Sequence, residues 1–350
     1  MQRKLFAFIA AASCAGAVHA DSVTIYGLID AGFTRYSNTA ANGVGTGSMT
    51  KMDTGVANAN RLGFRGAEDL GGGTNVFFTL ENGFNLDDGS LGQGGLLFGR
   101  QAFVGMGNRF GSVSVGRHYD FMINQNAYST GAATVAGLVA FGLHASPRTG
   151  GVLNDRIYAG DRVNNSIKFQ SNKFGSWSVG AMYGMGEVAG NSSAARTYSA
   201  RVAYDNGPLS AAFAVTDLND ATGTHSTRIY GLGGGYKVGS VRGFGLITRV
   251  STDSGERLAA NNYEIGAGWN PTAPVDLTVG VQRQTRNNDI GTADQLTLTA
   301  AYMFSKRTTV YGVAAYLRDR GFPAQTTGGL GVPSSDGKQN TLRFGIRHLF

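Results

Sequence analysis

Basic side chains are scarce in this sequence, and their spacing is selective. Charged residues make up 15% of the 350 positions, well below the usual quarter. Arg162, Ser166, Lys168 and Gln170 alternate with Ile167 and Phe169. Arg201 shares a side with Thr197 and Ser199, opposite Tyr198, Ala200 and Val202, and Arg343 and Arg347 alternate with Leu342, Phe344 and Ile346. The same alternation assigns Arg61, Arg65, Arg249 and Arg318 to the polar side, where the acids are Asp30, Glu81, Glu264 and Asp276. Guanidinium groups recurring beside hydroxyls and amides make a surface that attracts and orients anions.

Other chemistry finds little support. His118, His144, His225 and His348 are dispersed and Cys14 is the single cysteine, so no metal site is assigned. The glycines of Gly43–Gly47 and Gly71–Gly73 precede no helix that could present a phosphate site. Basic charge spreads along strand faces instead of clustering as a nucleic-acid patch. No catalytic or cofactor-binding residue is assigned.

The elements that carry these residues must be strands. Glycine occupies 54 positions and proline only 6, and each glycine inside a helix costs about 1 kcal/mol relative to alanine. Segments of about ten residues alternate apolar and polar side chains, the mark of strands with two unlike faces. Val275, Leu277, Val279 and Val281 oppose Asp276, Thr278, Gly280 and Gln282, and Leu296, Leu298, Ala300 and Tyr302 oppose Gln295, Thr297 and Thr299. Sixteen such segments are expected, joined by alternating short and long links. Short turns fall at Leu70–Gly73, Asn108–Ser112, Asn172–Gly175, Asp205–Pro208, Lys237–Ser240, Asn270–Pro274 and Phe304–Arg307. Longer loops fall between them, the first at Ser37–Val56 and the longest at Tyr119–Asp161.

Turns at one end and loops at the other describe an up-and-down barrel with a lipid-facing apolar surface. Every proline falls in a link, as a closed sheet requires. Aromatic residues such as Tyr26, Trp177, Tyr204, Trp269, Tyr302 and Phe350 lie near strand ends, where interfacial girdles form. The N-terminus fits this setting: Arg3 and Lys4, the apolar run Leu5–Ala12 and Val18-His19-Ala20 read as a secretory leader, residues 1–20. Its removal takes away two basic residues and no acid, lowering the net charge from +7 by two. No later segment has the roughly 18 consecutive apolar residues of a spanning helix.

In this order the motifs are specific. Val23-Thr24-Ile25-Tyr26-Gly27 with Asp30 is followed by Arg61-Leu62-Gly63-Phe64-Arg65-Gly66 and Glu68-Asp69-Leu70-Gly71. Gly116-Arg117, Arg162-Val163-Asn164-Asn165-Ser166 and the ending Gly345-Ile346-Arg347-His348-Leu349-Phe350 complete the set. The chain resembles the general diffusion porins of Gram-negative outer membranes over residues 21–350. That resemblance implies an all-β fold, a 16-stranded antiparallel transmembrane β-barrel with the long third loop folded into the lumen, assembled as a homotrimer.

It also implies a ladder of arginines opposite the third loop: Arg61, Arg100 and Arg162, with Arg65 and Lys168 beside them. Arg100 shares parity with Val104 and Met106, so its lumen placement comes from the resemblance alone. The family's loop carboxylates are sparse here. The third loop holds Asp120, Asp155 and Asp161 and adds Arg148 and Arg156. With rings of Arg and Lys favouring anions, the expected function is a water-filled, anion-preferring channel for small hydrophilic solutes. A solute-specific anion channel and an adhesive or structural barrel are the alternatives. His144-Ala145-Ser146 has the His-x-Ser spacing of outer-membrane phospholipases, but it lies in a loop without their surrounding motif, so no enzyme is expected. The implied partners are outer-membrane lipid and lipopolysaccharide, and the barrel assembly machinery through Phe350. No nucleic acid or cofactor is expected.

Overall fold

The computed structural model describes residues 23–41, 44–130, 144–145, 162–253, 258–287, 290–326 and 334–350. The expected leader, and Arg148, Asp155 and Arg156, lie outside the described residues. Going up from the turn end, β1 (Thr24–Ala41) forms a hairpin with β2, which comes in two pieces, Val44–Thr54 and Arg61–Gly71. Then follow β3 (Thr74–Gly83), β4 (Gln101–Asn108), β5 (Gly111–Tyr119), β6 (Arg162–Ser171), β7 (Trp177–Gly184) and β8 (Thr197–Asn206). The second half comprises β9 (Leu209–Asn219), β10 (Ser226–Val238), β11 (Val241–Thr252), β12 (Leu258–Trp269), β13 (Val275–Arg286), β14 (Gly291–Met303), β15 (Thr308–Arg320) and β16 (Lys338–Leu349).

Each strand pairs antiparallel with its neighbours, and β16 closes the sheet on β1 from Leu28↔Leu349 to Tyr36↔Thr341. Closure lets neighbouring strands satisfy one another's backbone donors, which is the condition for crossing lipid with strands. The period of two sorts the side chains as expected. Val104, Val115, Ile167, Leu232, Ile265, Leu298 and Phe344 are exposed outward, while Ser114, Ser166, Thr216, Thr278 and Thr297 are buried inward. Several short turns use left-handed backbone: Gly71, Gly72 and Gly73 all have positive φ, a conformation that glycine adopts without steric cost.

One expectation changes in the first hairpin. Ser37–Val56 is not a loop: pairing continues to Ala41↔Val44, through register shifts after Ser37. Beyond the bilayer a strand needs no apolar side, so polar residues extend the ladder without alternating. The real interruption is at residues 55–60, between the two pieces of β2. Gly55 turns there with φ +66, and Val56 and Ala57 are buried against Ala301, Tyr311, Val313 and Ala315 on the inner wall.

Arg249 and Arg318 also change sides. Arg249 stands opposite Tyr230 and Asn261, in line with exposed Ile247, and Arg318 sits beside Tyr316 on the outer face. The inner sides of these strands are the apolar ones: Leu246 and Val250 in β11, and Tyr311, Val313 and Leu317 in β15, are buried beneath inward-folded segments. Both faces there are apolar, so polarity gave no guide to direction.

Candidate functional site

Five basic residues expected on the lumen wall form one connected array. Arg65 faces inward opposite Thr24, and its guanidinium carbon lies 5.2 Å from the centre of the Tyr26 ring. The Tyr26 hydroxyl donates to Glu81 Oε2 at 2.9 Å, and Arg100 Nε donates to Glu81 Oε1 at 2.7 Å. Arg100 then lies 5.8 Å from the centre of the Tyr119 ring, with Arg162 4.7 Å from the same ring. Arg162 Nη2 donates to the Tyr119 hydroxyl at 2.9 Å. Lys168 Nζ donates to the Tyr119 carbonyl at 2.7 Å and lies 4.4 Å from the Phe121 ring centre.

Arg100 reaches this wall by standing just outside β4. By strand parity it would point to lipid with Ala102 and Val104. It instead ends the preceding link, and its side chain crosses inward over Gly83, whose missing Cβ leaves the room. Gly83 is the cross-strand partner of Arg61, so the two guanidinium-bearing residues are neighbours on the wall. Arg61 is held from the other side by the inward segment, donating to the Ala59 carbonyl at 3.1 Å and to Asn58 Oδ1.

These contacts position cations without neutralising them. Among the described residues, Glu81 with Arg100 is the one ion pair of the array. Arg61, Arg65, Arg162 and Lys168 rest on rings, hydroxyls and carbonyls. An aromatic face attracts a cation through its quadrupole and leaves the net charge intact. The array therefore presents unneutralised positive charge from a low-dielectric wall, which strengthens its field in the adjoining water.

The root of the longest link lies against the facing wall. Phe121 N donates to Ser199 Oγ at 3.0 Å, and Gln125 Nε2 donates to the Ala212 carbonyl at 3.3 Å. Thr130 donates from both its amide and its hydroxyl to Glu264 Oε1. Phe121, Met122 and Tyr128 pack with Met182, Ala203, Ala214, Ile229 and Leu246. Glycine makes the track: a Cβ on Gly180 would enter the Phe121 ring, and one on Gly233 would enter Tyr128. Beyond Thr130, the pair His144–Ala145 forms a short ladder with Ala324–Gln325 of the last link.

Asp120 is the one acid of the third loop among the described residues. It does not line open water; it is fully buried, accepting from the Thr216 hydroxyl at 3.0 Å and the Met122 amide at 3.1 Å. It fixes the point where the chain leaves β5 and turns inward. Tyr26, expected in the outer aromatic girdle, instead faces inward with its hydroxyl on Glu81 and Arg65 over its ring, because it shares parity with Thr24 and not with the exposed Val23 and Ile25. Sequence reasoning missed the role of Tyr119, since the spacing of these rings along the wall has no counterpart in a linear motif. It also missed Arg242 and Arg286. Arg242 Nη2 donates to the Ala127 carbonyl at 2.7 Å, and Arg286 lies 3.7 Å from the Phe322 ring centre.

A second buried network supports the inward segment. Arg343 is completely buried and donates to Tyr311 at 2.9 Å, Thr34 at 2.8 Å and Asp30 at 3.4 Å. Asp30 in turn accepts from the amides of Ala57 at 2.7 Å and Asn58 at 2.9 Å. The pair thus ties β1 and β16 to the segment that holds Arg61.

With this geometry in view, the comparisons agree with one another. The profile of a family described as Gram-negative porin matches residues 7–321. Outer membrane porin protein 32 of Delftia acidovorans is 31% identical over 374 aligned positions that span all of both chains. An outer membrane porin protein of Bordetella pertussis is 26% identical, again over all of both chains. Among solved structures, an anion-selective porin from Comamonas acidovorans superposes with a TM-score of 0.80 at 29% identity, covering 94% of this chain and 99% of that one.

Proposed function

The chain belongs to the Gram-negative porin family, whose members are diffusion channels of the outer membrane, and on that premise we propose that its pore prefers anions. One observation carries the proposal: Arg61, Arg65, Arg162 and Lys168 line one wall with no carboxylate within ion-pair distance among the described residues. Basic rings raise the local concentration of anions and repel cations. The relative titled as an anion-selective porin supports the same direction.

In this reading Arg61, Arg65, Arg100, Arg162 and Lys168 form the basic side of the constriction, and the third loop, rooted at Asp120, forms the other. Arg148, Asp155 and Arg156 belong to that loop and set the remaining charge balance. Solutes pass by diffusion, with no catalytic step. Residues 1–20 act as the export leader, Phe350 engages the assembly machinery, and the mature barrel, residues 21–350, works as a homotrimer among outer-membrane lipids and lipopolysaccharide.

Planar-bilayer recording in a salt gradient tests the central claim. The expected reversal potential has the sign of anion preference, and a cation-preferring sign would overturn the reading. Saturable conductance blocked by one organic anion would instead favour a solute-specific channel.

A further inference from the structure

The apolar side chains Leu246, Val250, Val313 and Leu317 of the inner wall lie in buried clusters under folded-in segments. Phe77 in β3 and Phe103 in β4 differ from them. Phe77 shares its face with Thr79 and Glu81, and Phe103 shares its face with Gln101 and Gly105, so both point inward while Val104 and Met106 are exposed outward. Both rings are only half-buried and belong to none of those clusters. Their centres stand 6.3 Å apart in an edge-to-face arrangement. Phe103 also stacks at 4.7 Å on His118, a buried ring whose Nδ1 lies 2.8 Å from the Ser166 hydroxyl. The Phe77 ring lies over Gly105, where a Cβ would enter it. Two aromatic faces are thus fixed on a wall that otherwise offers hydroxyls, amides and charge.

Cations stand on both sides of the rings. In the register of the sheet Arg65 lies opposite Thr79, and Thr79 opposite Phe103. Phe77 lies opposite Gly105, Gly105 opposite Ser114 and Ser114 opposite Lys168. Two strand spacings put Arg65 and Phe103 about 10 Å apart at the backbone, a gap that the long arginine stem shortens to the length of a small aromatic acid. Arg65 is exposed to the pore. The acids on the same strands are engaged elsewhere: Glu81 pairs with Arg100, and Asp69 accepts from the Gly71 amide at 2.8 Å near the turn.

We propose that Phe77 and Phe103 form a subsite for aromatic carboxylates, the solute's ring lying against theirs and its carboxylate held by the Arg65 guanidinium. Arginine's planar fork matches a carboxylate through two parallel hydrogen bonds, and an aromatic body leaves water for the apolar floor. The occupant carries both parts, because an inorganic anion has no surface for the rings and a neutral arene has no charge for Arg65. The subsite rests on the anion-preferring reading of the pore and adds a class of solute to it. It delays aromatic acids in transit and leaves the chloride conductance unsaturated.

The test is planar-bilayer recording of the full-length assembled protein in potassium chloride, with millimolar potassium benzoate or potassium butyrate added to one side. The two probes share a carboxylate and differ in the ring. The time for which each interrupts the chloride current, read from the current noise, is expected to be at least three-fold longer for benzoate. F77T/F103T puts in place of the rings a residue that the inner wall uses elsewhere, and should bring benzoate down to the butyrate value. F103T alone should shorten the benzoate time, F103Y should preserve it, and R65Q should shorten the times of both probes. Equal times for the two probes in wild type would overturn the proposal, as would a benzoate time unaltered in F103T and in the double variant. The chloride reversal potential is recorded in the same membranes. A cation-preferring sign there would overturn the underlying reading of the pore, whereas an anion-preferring sign with equal probe times would overturn the aromatic subsite alone.

Discussion

Glu81 and Arg100 form an ion pair of 2.7 Å on the inner wall, both side chains almost wholly buried. The pair brings a guanidinium to the lumen from a position just outside β4, whose parity with that strand would point to lipid. It also uses up the one carboxylate within the basic array, and that division of roles leads to the first two expectations.

Removing one partner leaves the other buried and unpaired, a loss of about 3–5 kcal/mol in soluble proteins. R100A should therefore lower the heat needed to unfold the barrel on a semi-native gel by more than R65A does. Equal transitions would show that the pair is not a structural strut.

E81Q removes the negative charge while keeping a hydrogen-bonding side chain of the same shape for Tyr26 and Arg100. The reversal potential in a salt gradient should move further toward anions. No movement would place the Glu81 charge outside the ion path.

Arg61, Arg65, Arg162 and Lys168 rest on neutral groups, so neutralising them should act electrically before it acts structurally. R65Q and R162Q should each weaken anion preference, and together weaken it more than either alone. Trimmed selectivity with unchanged unfolding is the expected pattern; unchanged selectivity in the double variant would refute the assigned wall.

Gly180 and Gly233 leave room for Phe121 and Tyr128. A bulky side chain there must push the loop root off the wall, and overpacking costs about 1–3 kcal/mol. G180V and G233L should change single-channel conductance and add current noise, while the same substitution at Gly243, which has open space around a Cβ, should not. Identical recordings from all three would mean that the track does not hold the loop.

D30N keeps the shape of the side chain that accepts from Ala57 and Asn58 but removes the nearer of the two carboxylates facing the buried Arg343 guanidinium, leaving it only Asp53 at 3.9 Å among the described residues. The variant should unfold at lower temperature. Because the inward segment also holds Arg61, its anion preference should fall as well. Loss of stability with selectivity intact would separate the two networks.

The strand count, the alternation of turns and loops and the outward apolar band were legible because the side-chain period of a strand is two. Lipid tolerates only one kind of face, and closure forbids proline inside the wall. Leu342, Phe344 and Ile346 against Arg343 and Arg347 could be sorted without any tertiary knowledge, and Arg61, Arg65 and Lys168 with them. That logic fails wherever a folded-in segment covers the inner wall. The apolar inner residues Leu246, Val250, Val313 and Leu317 erased the contrast between faces, and Arg249 and Arg318 were assigned to the wrong side. Arg100 escaped because it stands one residue beyond its strand, where parity no longer governs direction. Asp120 looked like a pore carboxylate until Thr216 and the buried loop root claimed it. These outcomes depend on contacts such as Phe121 with Ser199 and Thr130 with Glu264, which join residues 78 and 134 positions apart. Local periodicity decides what each strand can offer to lipid and to water. Only closure of the barrel decides which of those groups meet, because the partners are brought together by the curvature of the whole sheet.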